Sequence, residues 1–130
     1  MTHAQEDDRW TVFVVDDDHA LRDSLKFSLE IDGFAVRIYP NALRLLAEAD
    51  FPERCCLVID QNMPGMTGLD LIAALRARNV DAPAILITSY PNAAVTERAS
   101  KAGVFISEKP LLGSGLVERI RLVATRQSRE

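Results

Sequence analysis

Three runs in this chain are apolar at almost every position: "WTVFVVD" (10–16), "CCLVID" (55–60) and "APAILIT" (82–88). A strand with one wet face alternates apolar and polar residues, so runs without alternation must be covered on both sides. Their short length and β-branched content mark them as strands. Between them the period changes. Asp18 or His19 opens a helical segment that runs to Ile31, with Leu21, Leu25 and Leu29 at i, i+4 and i+8 and Gly33 placed to end it. "FAVRIY" (34–39) alternates as a half-covered edge strand does, and Asn41 can cap "ALRLLAEA". The breakers Pro64, Gly65 and Gly68 interrupt "QNMPGMTG" before "LDLIAALRAR", whose Leu69, Ile72 and Leu75 share one face. "AAVTERASKAG" reads as a helix closed by Gly103, with Pro91 suited to its first turn. "VFIS" (104–107) is a short strand, and Ser114 can cap "GLVERIRLVATR".

Five strands alternating with five helices predict an α/β fold, with helices on both faces of a parallel sheet. Right-handed crossovers make a doubly wound (βα)5 sheet the simplest closure, in the flavodoxin-like order 2-1-3-4-5. Composition agrees with one such domain. The 130 residues are 48% hydrophobic and 26% charged, with a net charge of −4 that leaves no basic footprint for nucleic acid or an anionic membrane. No apolar stretch has the length of a signal peptide or a membrane span, so a cytoplasmic, membrane-free protein is expected. Cys55 and Cys56 are adjacent, without a His or further Cys nearby to complete a metal site, and read as reduced thiols of a strand. His3 and His19 have no partners at useful spacing, and the arginines near the end lie mixed with acids as a solvated face. Residues 1–9 and 126–130 are expected to be tails on a domain spanning 10–125.

In a doubly wound sheet the ligand site lies beyond the carboxyl ends of the strands. The first strand ends in Asp16 and Asp17, the third in Asp60 and the fourth in Thr88 and Ser89, while Lys109 and Pro110 follow the fifth. Adjacent carboxylates repel: at 5 Å and an effective dielectric near 20, a pair costs about 3 kcal/mol. With strands one and three as neighbours, Asp16, Asp17 and Asp60 converge on one crevice. Three hard oxygen donors suit Mg2+, whose charge offsets that repulsion. Asp18 is a helix cap or solvated acid rather than a ligand.

"VVDDD", "DQNMPGMTG", "ILITS" and "SEKP", in this order and each at a strand end, resemble the receiver domain of bacterial two-component response regulators over roughly residues 10–125. The resemblance implies a phosphoprotein in which Asp60 is the phosphoacceptor, with Asp17 as direct metal ligand and Asp16 in contact with metal mainly through water. The backbone carbonyl of Asn62 would be another ligand. Lys109 would pair with the acceptor carboxylate and then with the phosphoryl group, and Thr88 would move to bond a phosphoryl oxygen. Asn62 and Tyr90 fall where this family tunes phosphoryl lifetime, and Tyr90 is expected to shield the acyl phosphate from water. The implied cofactor is Mg2+. The implied partners are a sensor histidine kinase or histidine phosphotransfer protein, and a downstream protein target or an output domain absent from these 130 residues; a homodimer on phosphorylation is a further implied form. No direct nucleic-acid binding and no membrane contact are expected of this chain. Its only chemistry would be self-catalysed phosphotransfer and autodephosphorylation, so it is not expected to be an enzyme.

The chain departs from the family pattern at one place. Receivers commonly carry an aromatic three residues before the lysine; here that position is Ile106, with Phe105 one place earlier. A one-residue slip changes the face a strand residue meets. Either Phe105 is re-registered into the switch position, which is the reading favoured on sequence, or aromatic switching is absent. Competing classes fit less well. A phosphate-independent interaction module would tolerate erosion of the acidic pocket, which is intact. A flavin-binding relative would want a Ser/Thr/Gly-rich loop after the first strand, and an aspartyl phosphohydrolase a second carboxylate where Asn62 stands.

Overall fold

The computed structural model describes residues 9–48, 50–109 and 115–129, with side chains to residue 124. Its elements run β1 (Thr11–Val15), α1 (His19–Ile31), β2 (Ala35–Tyr39), α2 (Ala42–Leu46), β3 (Cys55–Asp60), α3 (Gly68–Ala77), β4 (Ala84–Thr88), α4 (Ala93–Lys101), β5 (Phe105–Glu108) and α5 (Gly115–Arg129). The strands form one parallel sheet in the order β2-β1-β3-β4-β5. This is the expected topology, and it makes β1 and β3 neighbours.

Alternation decides which layer each strand residue joins. Phe13, Val15, Leu57, Ile59, Ala84 and Leu86 face α2, α3 and α4, where Leu45, Ile72, Leu75 and Ala99 close the core. Val12, Val14, Cys56, Val58, Ile85 and Ile87 face α1 and α5, against Leu25, Leu29, Leu116, Ile120 and Val123. The three apolar strands β1, β3 and β4 are buried at every position, whereas β2 and β5, which carry sheet edges, are half-covered.

The helix caps explain most boundaries. Asp18, Asn41, Thr67 and Asn92 each accept a backbone N–H three residues on, satisfying a donor the helix itself leaves free. At the other ends Gly33, Asn79 and Gly103 adopt positive φ of 96°, 65° and 72°, and the following N–H closes back onto the carbonyls of Leu29, Leu75 and Ala99.

Some boundaries differ from expectation. Asn92, not Pro91, opens α4, because a side-chain acceptor satisfies a donor and proline supplies none. α2 stops at Leu46: beyond it Glu48 accepts from the Tyr39 hydroxyl and pairs with Arg37, drawing the chain onto edge strand β2. The Ser114 cap, His3 and Pro110 lie outside the described residues. Among the described residues no helix is long and apolar enough to cross a membrane. Cys55 and Cys56 are both free thiols, buried on opposite faces of β3.

Candidate functional site at the carboxyl ends of the strands

The ladder of hydrogen bonds carries the candidate side chains to the end of the sheet. Asp16 N–H still donates to the Tyr39 carbonyl at 3.2 Å, and Gln61 N–H, one residue past Asp60, donates to Ile87 O at 2.9 Å. Lys109 N–H donates to Thr88 O at 2.8 Å. The backbone under Asp16, Asp60, Thr88 and Lys109 is thus held by strand pairing. Asp16, Asp60 and Thr88 are all buried, with 0%, 2% and 0% of their surface exposed; Asp17 is exposed.

Lys109 Nζ lies 3.3 Å from Asp16 Oδ2 and 3.3 Å from Asp60 Oδ1, a single cation shared by two buried carboxylates. Asp16 Oδ1 accepts the Asp18 N–H at 2.8 Å, but its Oδ2 accepts no hydrogen bond. Asp60 Oδ1 also accepts the Asn62 N–H at 3.4 Å. Burial raises the pKa of Asp60, and the nearby Asp16 charge adds to the rise; Lys109 opposes it without cancelling it. Asp16 is raised for the same first reason, desolvation. Burial pulls Lys109 down, but attraction to the two carboxylates outweighs it and holds the ammonium above its ordinary range.

Asp16, Asp17 and Asp60 each offer a carboxylate oxygen, all within 4.8 Å of one another. A buried oxygen without a hydrogen bond, three acids and one lysine leave negative charge that a hard cation would neutralise. The donor set therefore fits Mg2+.

Three supporting residues escape sequence reading. A Cβ on Gly68 would lie 2.5 Å from the Asp60 carbonyl oxygen and 2.7 Å from Leu86 Cδ1, so only glycine lets α3 begin against the strand that ends in Asp60. A glycine inside the first turn, where it weakens a helix, was the available signal. The Gln61 side chain accepts Leu69 N–H at 2.9 Å, fastening the same helix start to β3. Arg22 Nη1 donates to the Asp16 carbonyl at 2.8 Å, bringing a positive charge beside the acidic loop.

Two expectations need correction. Phe105 pairs with Ile85 and packs toward α1 and α5, where the Arg119 guanidinium lies 5.4 Å above its ring. The residue on the Leu86 face, which is also the face of Thr88, is Ile106. Strand parity keeps Phe105 away from the switch position, and that position is aliphatic. The Tyr90 side chain is 81% exposed, so it gives the site little cover here; its backbone N–H donates to Thr88 Oγ1 at 3.3 Å.

A five-stranded doubly wound sheet with this cluster at its carboxyl end defines a receiver. Residues 12–121 match the family of response regulator receiver domains, and the chain belongs to that family. It is 37% identical over 112 residues to the transcriptional regulatory protein FixJ of Rhizobium meliloti (strain 1021), covering 85% of this chain and 55% of FixJ. It is also 37% identical over 112 residues to the C4-dicarboxylate transport transcriptional regulatory protein DctR of Rhodobacter capsulatus, covering 84% and 57%. The chain thus spans about half the length of these relatives. Among solved structures, FixJ-N superposes with a TM-score of 0.79 at 36% identity, covering 89% of this chain and 94% of that one. A CheY-like receiver domain protein of Methanospirillum hungatei JF-1 superposes at 0.86 with 27% identity, covering 93% and 98%.

Proposed function

We propose that this receiver takes a phosphoryl group from a phosphohistidine donor onto Asp60 and thereby changes its affinity for a protein target or output domain. The observation that carries the reading is the shared contact of Lys109 Nζ with Asp60 and Asp16 at the strand ends. With Asp60 Oδ1 engaged by Lys109 and the Asn62 N–H, Oδ2 is left to form the new P–O bond. The donor's P–N bond breaks, its electron pair leaves with the imidazole nitrogen, which takes up a proton, and Asp60 becomes an acyl phosphate. Such transfers ask the protein mainly for positioning and for charge stabilisation. Asp16, Asp17, Asp60 and the Asn62 carbonyl would hold Mg2+, which when bound neutralises charge on the transferring group.

The product carries about −1.5 to −2 of charge where one carboxylate stood. Lys109 pairs with it, and the Thr88 hydroxyl turns to donate to a phosphoryl oxygen. Thr88 and Lys109 lie at the ends of adjacent strands, joined by a main-chain hydrogen bond, so movement at one reaches β5. Residues 10–125 would form the working unit, in the cytoplasm, with a sensor histidine kinase or histidine phosphotransfer protein as donor. Asn62, whose N–H donates to Asp60 Oδ1, would tune the lifetime of the acyl phosphate.

Incubating the chain with Mg2+ and acetyl phosphate should add one phosphate by intact mass, and Asp60→Asn should abolish the gain. A wild type that takes neither phosphate nor beryllofluoride would instead be a phosphate-independent interaction module.

A further inference from the structure

Thr88 Oγ1 is fully buried and accepts two hydrogen bonds, from Asn62 Nδ2 and from the Tyr90 N–H, both at 3.3 Å. A hydroxyl has two acceptor lone pairs, and both are used. The Tyr90 bond spans two residues and is a turn that any Ser or Thr there could form. The Asn62 bond is different: it crosses 26 residues and ties the loop beyond β3 to the end of β4. Asn62 also donates its backbone N–H to Asp60 Oδ1. One residue therefore touches the proposed acceptor through its main chain and the hydroxyl that would answer it through its side chain.

We propose that the Asn62 side chain is a latch that holds Thr88 in the unphosphorylated position and sets the resting balance of the domain. This rests on the receiver reading and concerns the state before phosphate arrives, apart from any effect of Asn62 on lifetime. In this reading the Thr88 hydroxyl leaves the Asn62 amide when it moves to an oxygen of the phosphorylated Asp60. A bond present in only one of two states weights the equilibrium between them by its net worth. Asn62 is exposed, so the released amide regains water. The latch is accordingly weak enough to open when the phosphoryl group is added, and strong enough to keep Thr88 parked without it.

The test uses beryllofluoride with Mg2+ on the whole chain. Asn62→Ala should bind it about fivefold more tightly than wild type, the weight of one ordinary hydrogen bond. In ligand-free Asn62→Ala, the Thr88 γ-methyl NMR signal should move toward its position in the beryllofluoride-saturated wild type. In a Thr88→Val background, Asn62→Ala should change the affinity no further. Equal affinities for wild type and Asn62→Ala would overturn the latch alone. The same gain persisting in Thr88→Val would also overturn it, since Asn62 would then act on the ligand directly. A wild type that binds no beryllofluoride would overturn the receiver reading and the latch together.

Discussion

The middle of the sheet and its carboxyl edge share one backbone and one depth of burial, yet their chemistry is opposite. Val12–Val15, Leu57–Ile59 and Ile85–Ile87 are fully buried and wholly apolar. Where these runs end, Asp16, Asp60 and Thr88 are buried as well, but two of them are ionisable carboxyls. In the first region burial is the stabilising force. In the second, burial raises the carboxyl pKa values and leaves Asp16 Oδ2 without a hydrogen bond. The apolar middle keeps the ladder rigid enough to hold charges that would otherwise separate.

The largest effect should come from the middle. Leu86→Ala removes a fully buried side chain shared by β4 and the α3 layer and should cost about 3 kcal/mol in denaturant unfolding, with Mg2+ affinity of the folded protein unchanged. Gly68→Ala lies where the regions meet. Its Cβ would collide with the Asp60 carbonyl, costing about 2 kcal/mol and slowing phosphorylation by acetyl phosphate, because the acceptor itself is displaced.

At the edge the sign should reverse. Asp16→Asn removes one buried charge while leaving Lys109 paired with Asp60. It should raise stability by about 1 kcal/mol, roughly 4 °C in melting temperature, while Mg2+ affinity falls at least tenfold. A rise in stability without loss of Mg2+ binding would break the contrast between the regions.

The smallest effect is in pH. A carboxyl whose folded pKa lies above its unfolded value binds more protons folded than unfolded, so acidification through that folded value stabilises the native state. Asp16 and Asp60 are both raised, so the metal-free protein should gain stability as pH falls from neutral through their raised values, and Mg2+ binding should weaken over the same window. The Lys109 contribution has the same sense, because its pKa is raised too, but a different window: it is fully present at neutral pH and is lost as pH rises through its raised value. Melting scans and Mg2+ titrations between neutral and mildly acidic pH check the carboxyl effects, and melting scans at alkaline pH check that of Lys109.

The same contrast explains what could be read from sequence. The strands β1, β3 and β4 were legible because burial on both faces leaves runs with no polar interruption. Asp16, Asp17, Asp60, Thr88 and Lys109 were legible as strand-end residues, and the structure brings Asp16, Asp17 and Asp60 together with Lys109. Phe105 was misread because parity depends on the exact residue at which β5 begins pairing, and residues 104–109 alone do not reveal it. Asn79 went unnoticed as a helix terminator because asparagine adopts positive φ less readily than the glycines at 33 and 103. Gly68 read as a breaker because a close approach to another strand's carbonyl leaves no local pattern.

The adjacent thiols of β3 have a practical consequence. Burial pushes Cys55 up to about 11 and Cys56 up to about 12, so neither is a reactive thiolate at neutral pH. Each therefore labels only when its own layer opens, Cys55 on the α2–α4 side and Cys56 on the α1–α5 side. Timed alkylation of single-cysteine variants would clock the two halves of the molecule separately, and would tell whether they breathe together or in turn.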